Sequence, residues 1–218
     1  MATKWHFAQK LEIWWWKKYL DRKVPSEYLS KKQVYWHKIL DLTGISPGAG
    51  VRILDAGCGP AGIFTVLGQC AVDALDPLLE QYERKLSIFN RRDYPQTRFI
   101  SQKLEDFTAR DSYETVFCFN AINHVDDIQK GIDVLTTAVA PTGNLVVSVD
   151  AHRNRLLKWL FRIAPADALH PHQYDRDEYV QFFEQRGFHI VRETVLRKEL
   201  IFEYRLWVFR RHSDPKMQ

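Results

Sequence analysis

Residues 53–62, ILDAGCGPAG, contain glycines at a spacing that can form a ligand-binding loop. Gly57, Gly59 and Gly62 match the pattern G-x-G-x-x-G, and Asp76 follows Gly57 by 19 residues. Glycine permits a tight turn and lets the backbone approach a ligand closely. A carboxylate at the position of Asp76 can accept hydrogen bonds from both hydroxyl groups of a ribose. The spacing therefore predicts a site for a ligand that contains a nucleoside.

Asp55 restricts the charge of that ligand. It lies two residues before Gly57, beside the predicted start of a helix, where a dehydrogenase binds the pyrophosphate of its nicotinamide cofactor. Two negative charges in a partly dry site repel each other by several kcal/mol. S-adenosylmethionine (SAM) carries an ammonium and a sulfonium group and no phosphate. Asp55 therefore favours SAM over a nicotinamide dinucleotide.

The elements that must position this loop alternate between strand and helix patterns. Residues 188–211 follow them and predict an antiparallel hairpin. The alternation predicts an α/β fold, a Rossmann-like three-layer sandwich with a seven-stranded, mostly parallel sheet and an antiparallel C-terminal hairpin. The predicted strands before the hairpin are 51–56, 71–76, 98–102, 113–120 and 144–150, and the predicted helices are 63–69, 77–90, 125–140 and 175–187.

Over roughly residues 35–210, these motifs resemble in type and order those of the class I SAM-dependent methyltransferases. The resemblance implies that residues 55–59, DAGCG, form the cofactor loop and that Asp76 binds the ribose. Gly62 departs from the family's pattern, because it comes one residue after the usual third glycine position. The resemblance further implies SAM as the cofactor and S-adenosylhomocysteine as its product.

The same resemblance extends the cofactor site to later strands. Glu105 or Asp106, after the third strand, is expected to contact the adenine amino group. Residues 119–127, FNAINHVDD, are expected to line the methyl-donor side, and residues 141–149 resemble the fifth-strand motif. The cofactor residues that the resemblance implies are Asp55, Ala56, Gly57, Gly59, Asp76, Pro77, Glu105, Asp106 and Asn120.

Histidines are the candidate catalytic residues. Methyl transfer needs a general base only when the acceptor must lose a proton. His124 follows the fourth strand, where Asp126 and Asp127 can orient it; alternatively these aspartates cap the next helix. His170 and His172 precede the last helix and are candidates for a second base, for substrate contacts or for loop polarity alone. Since the histidines form no ligand cluster in the sequence, no metal site is predicted.

Three consecutive tryptophans mark a predicted N-terminal helix over residues 5–20. Phe7, Leu11, Trp14 and Trp15 form an apolar stripe that is expected to bury against the body of the protein. Trp16 lies about 160° around the helix from Trp14 and faces another way. The helix therefore needs a second apolar neighbour.

We expect residues 1–45 to form an aromatic, basic helical lid on a SAM-binding domain of residues 46–218, with residues 151–175 as a substrate cap. The alternatives are that the tryptophans only pack two helices together, or that the basic tryptophan helix contacts an anionic membrane surface. The expected substrate contacts are Trp15, Trp16, Tyr19, His170 and His172.

Composition excludes several classes of protein. A chain of 218 residues with 45% apolar residues is expected to form one domain with a real core. No apolar run approaches the roughly 18 residues of a membrane span, and no signal pattern is found, which predicts a cytoplasmic protein. Cys58, Cys70 and Cys118 form no C-x-x-C pair, which argues against a zinc site and a disulfide framework.

The sequence therefore predicts a SAM-dependent methyltransferase for a small hydrophobic acceptor, aromatic, quinone-like or lipid-like, with oxygen as the methylated atom. The rival hypotheses are a non-catalytic SAM-binding module, an NAD-dependent oxidoreductase and an RNA methyltransferase. Residues 120–123 read NAIN and not the N/D-P-P-Y of enzymes that methylate base amines. Nucleic acid is thus disfavoured as a partner, although basic residues bunch in two places, Lys17, Lys18, Arg22 and Lys23, and Arg153, Arg155, Lys158 and Arg162.

Overall fold

The chain is built around a twisted sheet with helices on both faces. The computed structural model describes residues 2–152 and 174–212. The α-helices are α1 (Ala2–Leu20), α2 (Pro25–Thr43), α3 (Leu79–Lys85), α4 (Ile128–Ala138) and α5 (Arg176–Glu184). The strands are β1 (Arg52–Ala56), β2 (Ala71–Leu75), β3 (Thr97–Ile100), β4 (Tyr113–Phe119), β5 (Val139–His152), β6 (Phe188–Lys198) and β7 (Phe202–Arg211).

The sheet has seven strands in the order β3-β2-β1-β4-β5-β7-β6. Neighbours from β3 to β5 are parallel, whereas β7 runs antiparallel to both β5 and β6. This confirms the predicted three-layer fold with its antiparallel C-terminal hairpin. The strand order reverses at β1 and β4, and in open α/β sheets the crevice at such a switch point is where ligands bind.

Register at the C-terminal half of the sheet decides which side chains meet. Asp150 of β5 lies opposite Tyr204 of β7, so their side chains share one face of the sheet. The pairing of β6 with β7 shifts between Val195 and Arg197. This irregularity adds a residue to β6 beside the same part of β7.

Two apolar cores flank the sheet. On one face α4 and α5 bury Ile132, Leu135 and Phe183 against the strands. On the other face α2 and α3 bury Ile39 and Tyr82. Because α2 shares a core with the sheet, the predicted boundary between residues 1–45 and 46–218 separates elements that pack against each other.

The α-helix predicted over residues 63–69 is wrong. Residues 59–61 and 63–66 form two short 3-10 helices, with Gly62 in an extended conformation (φ −72°, ψ −175°) between them. The buried Asp55 carboxylate accepts a hydrogen bond from the backbone N–H of Phe64, with an N···O distance of 3.2 Å. Asp55 therefore holds the turn after the glycine loop and does not lie beside an α-helix N-terminus.

The apolar stripe predicted on α1 is also wrong. Ile13 is buried and Trp16 packs against the same core, whereas Trp14 and Trp15 are exposed. The Glu12 carboxylate accepts a hydrogen bond of 2.6 Å from the Tyr82 hydroxyl. A helix that presents Glu12 to α3 also turns Trp16 inward, because Trp16 lies four positions from Glu12, and Ile13 lies three positions from Trp16 on the same side.

Some predictions fall outside the described residues. The predictions for His170 and His172 and for most of the cap at 151–175 fall there. The same holds for the second group of basic residues, Arg153, Arg155, Lys158 and Arg162. Among the helices that the structure describes, none combines the length and apolar character needed to cross a membrane.

Candidate functional site

The glycine loop turns at the carboxyl end of β1. Gly57 and Gly59 have positive φ angles of 71° and 59°, which favour glycine. The N–H groups of Gly57 and Cys58 both donate to the carbonyl of Leu75, at 2.7 and 3.1 Å. A Cβ on Gly57 would lie 2.2 Å from the Cβ of Ala121. The loop is thus tied to β2 on one side and touches the segment after β4 on the other.

Asp76 ends β2 directly beside this loop. One carboxylate oxygen accepts from the N–H of Gly59 at 3.0 Å, and the other accepts from the N–H of Leu78 at 2.8 Å. Each oxygen keeps a second lone pair for a ligand hydroxyl. Burial, reinforced by the Glu12 carboxylate, raises the pKa of Asp76 to about 7.

A second buried carboxylate, Asp55, interacts electrostatically with the half-buried Lys32. Burial raises the pKa of Asp55 to about 7, while Lys32 of α2 and backbone N–H groups oppose the shift. Burial also lowers the pKa of Lys32 to about 8, and Asp55 limits that shift. The Lys32 ammonium lies 4.4 Å from the centre of the Trp36 ring. Charges of opposite sign thus act on each other next to the glycine loop.

Helix α2 holds the loop in place. The Trp36 indole N–H donates to the carbonyl of Ala61 at 2.9 Å. Lys32, Tyr35, Trp36 and Ile39 follow the i, i+3, i+4, i+7 spacing of one helix face. This face therefore touches both the glycine loop and the space beyond the end of β4.

The acidic residues after β3 have partners within the protein. Glu105 is buried, and its Oε1 accepts from the N–H groups of Asp126 and Asp127 at 2.6 and 3.4 Å. Asp106 is exposed and lies 3.5 Å from the Lys130 ammonium. Glu105 thus fixes the segment after β4, and the predicted adenine contact by Glu105 or Asp106 stays a prediction.

A cavity of about 310 Å³ adjoins the end of β4. It is lined by residues from distant elements, which bring together two phenol rings, an amide, a carboxylate, a guanidinium and an aliphatic side chain. Its described lining consists of Tyr35, Asn120, Asp150, Leu196, Arg197 and Tyr204. The lining is aromatic and charged, and is more polar than the predicted hydrophobic acceptor requires.

Hydroxyl groups in this cavity form a chain of hydrogen bonds. The Tyr204 hydroxyl lies 2.7 Å from that of Ser148 and also hydrogen bonds with Tyr35. Burial raises the pKa of both tyrosines, and the Asp150 carboxylate adds to each shift. The two phenols therefore remain protonated at neutral pH and can act as hydrogen-bond donors.

Asn120 lies where the glycine loop and the cavity meet. It has a positive φ of 50°, which is uncommon outside glycine and is often found at functional sites. Its backbone N–H donates to the carbonyl of Ser148 at 2.8 Å. Its side-chain oxygen is buried and accepts no hydrogen bond within the described structure. A buried amide oxygen of this kind is ready to accept from a ligand.

Those predicted catalytic and substrate residues that the structure describes lie outside the described cavity lining. His124 is exposed in a 3-10 turn, and the Asp127 side chain accepts from the Lys130 N–H and caps α4, which was the alternative interpretation. Trp15 and Tyr19 are exposed and stack on each other, with ring centres 4.8 Å apart. Neither they nor Trp16 belong to the described cavity lining, and the predicted substrate contacts stay predictions.

Sequence reasoning missed most of the cavity. Asp150, Tyr204 and Arg197 come from strands whose register is invisible in the sequence. In contrast, Lys32, Tyr35 and Trp36 follow the i, i+3, i+4 spacing of one helix face, a signal that is present in the sequence. Across residues 2–152 and 174–212, no group of three or more histidine, cysteine, aspartate or glutamate side chains is arranged to hold a metal ion.

The charges at this edge of the sheet fit SAM. Asp55 and Lys32 complement the ammonium and the carboxylate of its methionine part, and Asp76 can accept from ribose hydroxyls. Glu12, Asp55 and Asp76 act on one another electrostatically, so a pyrophosphate at this edge would meet like charges. The buried, unpartnered oxygen of Asn120 adds a further acceptor.

Comparison with known proteins identifies relatives of the chain. A family model described as a methyltransferase domain matches residues 21–193. The ubiquinone biosynthesis O-methyltransferase of Rickettsia felis is 28% identical over 100 residues, which cover 45% of this chain and 41% of that protein. The enzyme of the same name from Nitrobacter winogradskyi is 25% identical over 166 residues, covering 67% of this chain and 59% of that protein. The chain thus spans less than two thirds of the length of these relatives.

Solved structures share the fold at low sequence identity. The YcgJ protein of Bacillus subtilis has a TM-score of 0.63 and 13% identity, with 80% of this chain and 97% of that chain covered. A 1,6-didemethyltoxoflavin-N1-methyltransferase of Burkholderia thailandensis, with bound 1,6-didemethyltoxoflavin and S-adenosylhomocysteine, has a TM-score of 0.58 and 13% identity, with 95% of this chain and 89% of that chain covered.

Proposed function

Since this chain belongs to the family of methyltransferase domains, we propose that it methylates an oxygen atom of a small hydrophobic acceptor with an aromatic ring, such as a phenol. Its cofactor is SAM. When bound, SAM supplies a methyl group that its sulfonium sulfur has already activated. The observation that carries the proposal is the aromatic and charged cavity that adjoins the cofactor edge at Asn120.

Oxygen as the methylated atom is supported by the relatives. The proteins of Rickettsia felis and Nitrobacter winogradskyi are named as O-methyltransferases of ubiquinone biosynthesis. Their identity to this chain is below 30%, so the acceptor itself is proposed from the chemistry of the cavity.

The residues that would hold the cofactor surround the glycine loop. Asp55 binds the ammonium group, Lys32 binds the carboxylate, and Asp76 binds the ribose hydroxyls. The Asn120 amide oxygen accepts from a donor group of the bound ligand. Since the carboxylates of Asp55 and Asp76 are buried, their interactions with the cofactor are screened little by water.

The acceptor side positions a phenol and removes its proton. Tyr35 and Leu196 pack against the ring, and the protonated Tyr204 donates to a polar substituent. Asp150 accepts the proton that the phenol hydroxyl loses as its oxygen becomes methylated. Arg197, which lies at the mouth with an ion pair of 3.1 Å to Glu199, attracts an anionic substituent.

The test combines calorimetric titration with SAM and an acceptor screen. We expect micromolar binding of SAM by the wild-type protein and a loss of about 100-fold in Asp76→Ala, because two or more hydrogen bonds to a buried carboxylate disappear. Release of S-adenosylhomocysteine is then measured with phenols, catechols and quinols. Asp150→Asn is expected to retain SAM affinity and to lose most of the turnover.

Asp73→Ala is the matched control for Asp76→Ala. Asp73 is also a buried carboxylate of β2, but it binds Arg98 and Tyr113, at 2.6–2.7 Å. Its loss is expected to lower stability and leave SAM affinity unchanged. SAM binding without turnover of any phenol, catechol or quinol would contradict the proposed acceptor, and absence of SAM binding by the folded protein would contradict the cofactor site.

A further inference from the structure

Aromatic side chains are exposed on the side of α1 that faces away from the core. We define the outer face of α1 as Trp14, Trp15, Lys17, Lys18 and Tyr19. The exposed fractions of the three aromatic residues are 57% for Trp14, 46% for Trp15 and 41% for Tyr19. Contiguous exposed rings of this size mark an interaction surface, whereas single exposed apolar residues are ordinary.

Cations are interleaved with these rings. The Lys18 ammonium lies 5.1 Å from the centre of the Trp14 ring, and the Lys23 ammonium lies 3.0 Å from that of Tyr19. Lys17 and Arg22 are exposed beside them. The surface therefore combines ring bodies that prefer an apolar medium with charges that prefer an anionic one.

The inner face of the same helix fixes this orientation. Glu12 hydrogen bonds with Tyr82, and Ile13 is buried in the core. Rotation of α1 to bury Trp14 and Trp15 would break that hydrogen bond and expose Ile13. The rings on the outer face are therefore held outward by the packing of the helix.

We propose that the outer face of α1 docks on an anionic phospholipid bilayer, with the tryptophan rings at the headgroup level and the lysines against the lipid phosphates. Interfacial helices combine Trp on one part of their surface with Lys and Arg on another, and lie in the plane of the membrane. Each basic residue near an anionic surface contributes to the attraction.

A bilayer explains the arrangement of the rings better than a nucleic acid does. Single-stranded nucleic acids stack their bases on free aromatic faces. Here Trp15 and Tyr19 stack on each other with an interplanar angle of 8°, and Lys23 covers Tyr19. Their edges and remaining apolar surface suit the disordered interface of a membrane, where no base-sized slot is needed.

Vesicle co-sedimentation of the full chain tests the proposal. The vesicles are pure phosphatidylcholine, or phosphatidylcholine with phosphatidylglycerol, at low and high salt. We expect binding only to the anionic vesicles and weaker binding at high salt. Trp14→Ser with Trp15→Ser is expected to weaken the partition coefficient by about 100-fold, and Lys18→Glu by about tenfold.

Two control variants match these changes in chemistry and exposure. Val191→Ser removes an apolar side chain of 44% exposure on β6, and Arg110→Glu reverses a charge on the exposed segment before β4. Both are expected to bind the anionic vesicles as the wild type does.

Three outcomes would overturn the proposal. They are no binding to anionic vesicles at low salt, equal losses in the control and α1 variants, and binding that survives the tryptophan substitutions while a single-stranded RNA competes for it. The last outcome would assign the surface to nucleic acid. Near-ultraviolet circular dichroism of each variant checks that the fold is retained.

Discussion

The cofactor half and the acceptor half of the site are built in different ways. Around the glycine loop, backbone N–H groups of residues close in the chain bind the carboxylates of Asp55 and Asp76. In the cavity, side chains from α2, β5, β6 and β7 meet, and Tyr204, Ser148 and Tyr35 bind one another. The first half is fixed mainly by turns within residues 55–78, with one hydrogen bond from α2, whereas the second depends throughout on how distant elements pack.

The two halves touch at the segment after β4. Gly57 leaves room for Ala121, and Asn120, the preceding residue, lines the cavity. A change in the conformation of the loop is therefore expected to alter the geometry of the cavity through this contact. The converse is not expected, because the tyrosines of the cavity make no contact in the described structure with the carboxylates that hold the loop.

The largest effect is expected from Gly57→Ala. The new Cβ would meet Ala121 at 2.2 Å, and an alanine at a φ of 71° is strained. We expect the free energy of unfolding to fall by roughly 2–5 kcal/mol, about 1–2 from the backbone and about 1–3 from overpacking. SAM affinity and acceptor turnover should both fall. Chemical denaturation and calorimetric titration measure these changes.

Gly187→Ala separates the clash from the backbone strain. Gly187 has a φ of 78°, and a Cβ there would meet no atom within 4 Å. We expect this variant to lose about 1–2 kcal/mol of stability and to bind SAM normally. Equal losses in the two variants would show that the contact with Ala121 does not matter.

A smaller effect is expected from pH, and it should be confined to the cofactor half. Since the pKa values of Asp55 and Asp76 are raised to about 7, both carboxyl groups gain protons as the pH falls below 7. Protonation of Asp55 removes the negative charge that attracts the ammonium group, and protonation of Asp76 has a smaller effect because its ribose partners are uncharged. We expect the dissociation constant of SAM to rise by about tenfold from pH 8 to pH 6, measured by calorimetry.

The free energy of unfolding of the ligand-free protein should increase as the pH falls, whereas SAM binding weakens. A carboxyl group whose pKa is higher in the folded than in the unfolded state stabilises the fold at low pH, and this contribution is lost as the pH rises from about 4 to about 7. Asp76→Asn should reduce the slopes of both the binding and the stability profiles, and the titration of Asp55 should account for the slope that remains. Profiles that keep their wild-type slopes in this variant would contradict the assignment to Asp76.

Sequence reasoning reached the cofactor half because its signals are local. Gly57, Gly59 and Asp76 follow a fixed spacing, and backbone turns translate that spacing directly into geometry. The predicted strands and the antiparallel hairpin also follow from local patterns, and the sheet confirms them. The helix over 63–69 failed because this turn closes with hydrogen bonds three residues back, from the Thr65 N–H to Gly62 and from the Leu67 N–H to Phe64. Apolar spacing alone does not distinguish such a 3-10 turn from an α-helix.

The acceptor half escaped prediction for physical reasons. The pairing of β5 with β7 places Asp150 opposite Tyr204, and a register shift between β6 and β7 places Arg197 near them. No spacing in the sequence encodes either arrangement. For α1, two apolar stripes competed, and a hydrogen bond between Glu12 and Tyr82 decided which one faces the core. Such choices depend on pairs of residues that are far apart in the chain.

The smallest effect is expected from Tyr204→Phe, which removes only the hydroxyl that binds Ser148 and Tyr35. We expect the KM for the acceptor to rise by about tenfold or less, consistent with one hydrogen bond of about 0.5–1.5 kcal/mol, while the dissociation constant of SAM stays unchanged. Tyr113→Phe is the matched control, because its hydroxyl donates to Asp73 at 2.6 Å outside the cavity lining. Both variants should lose similar stability, but only Tyr204→Phe should change the KM. A change in SAM affinity in Tyr204→Phe would mean that the two halves are coupled in both directions, because the loss of a cavity hydroxyl would then have reached the glycine loop.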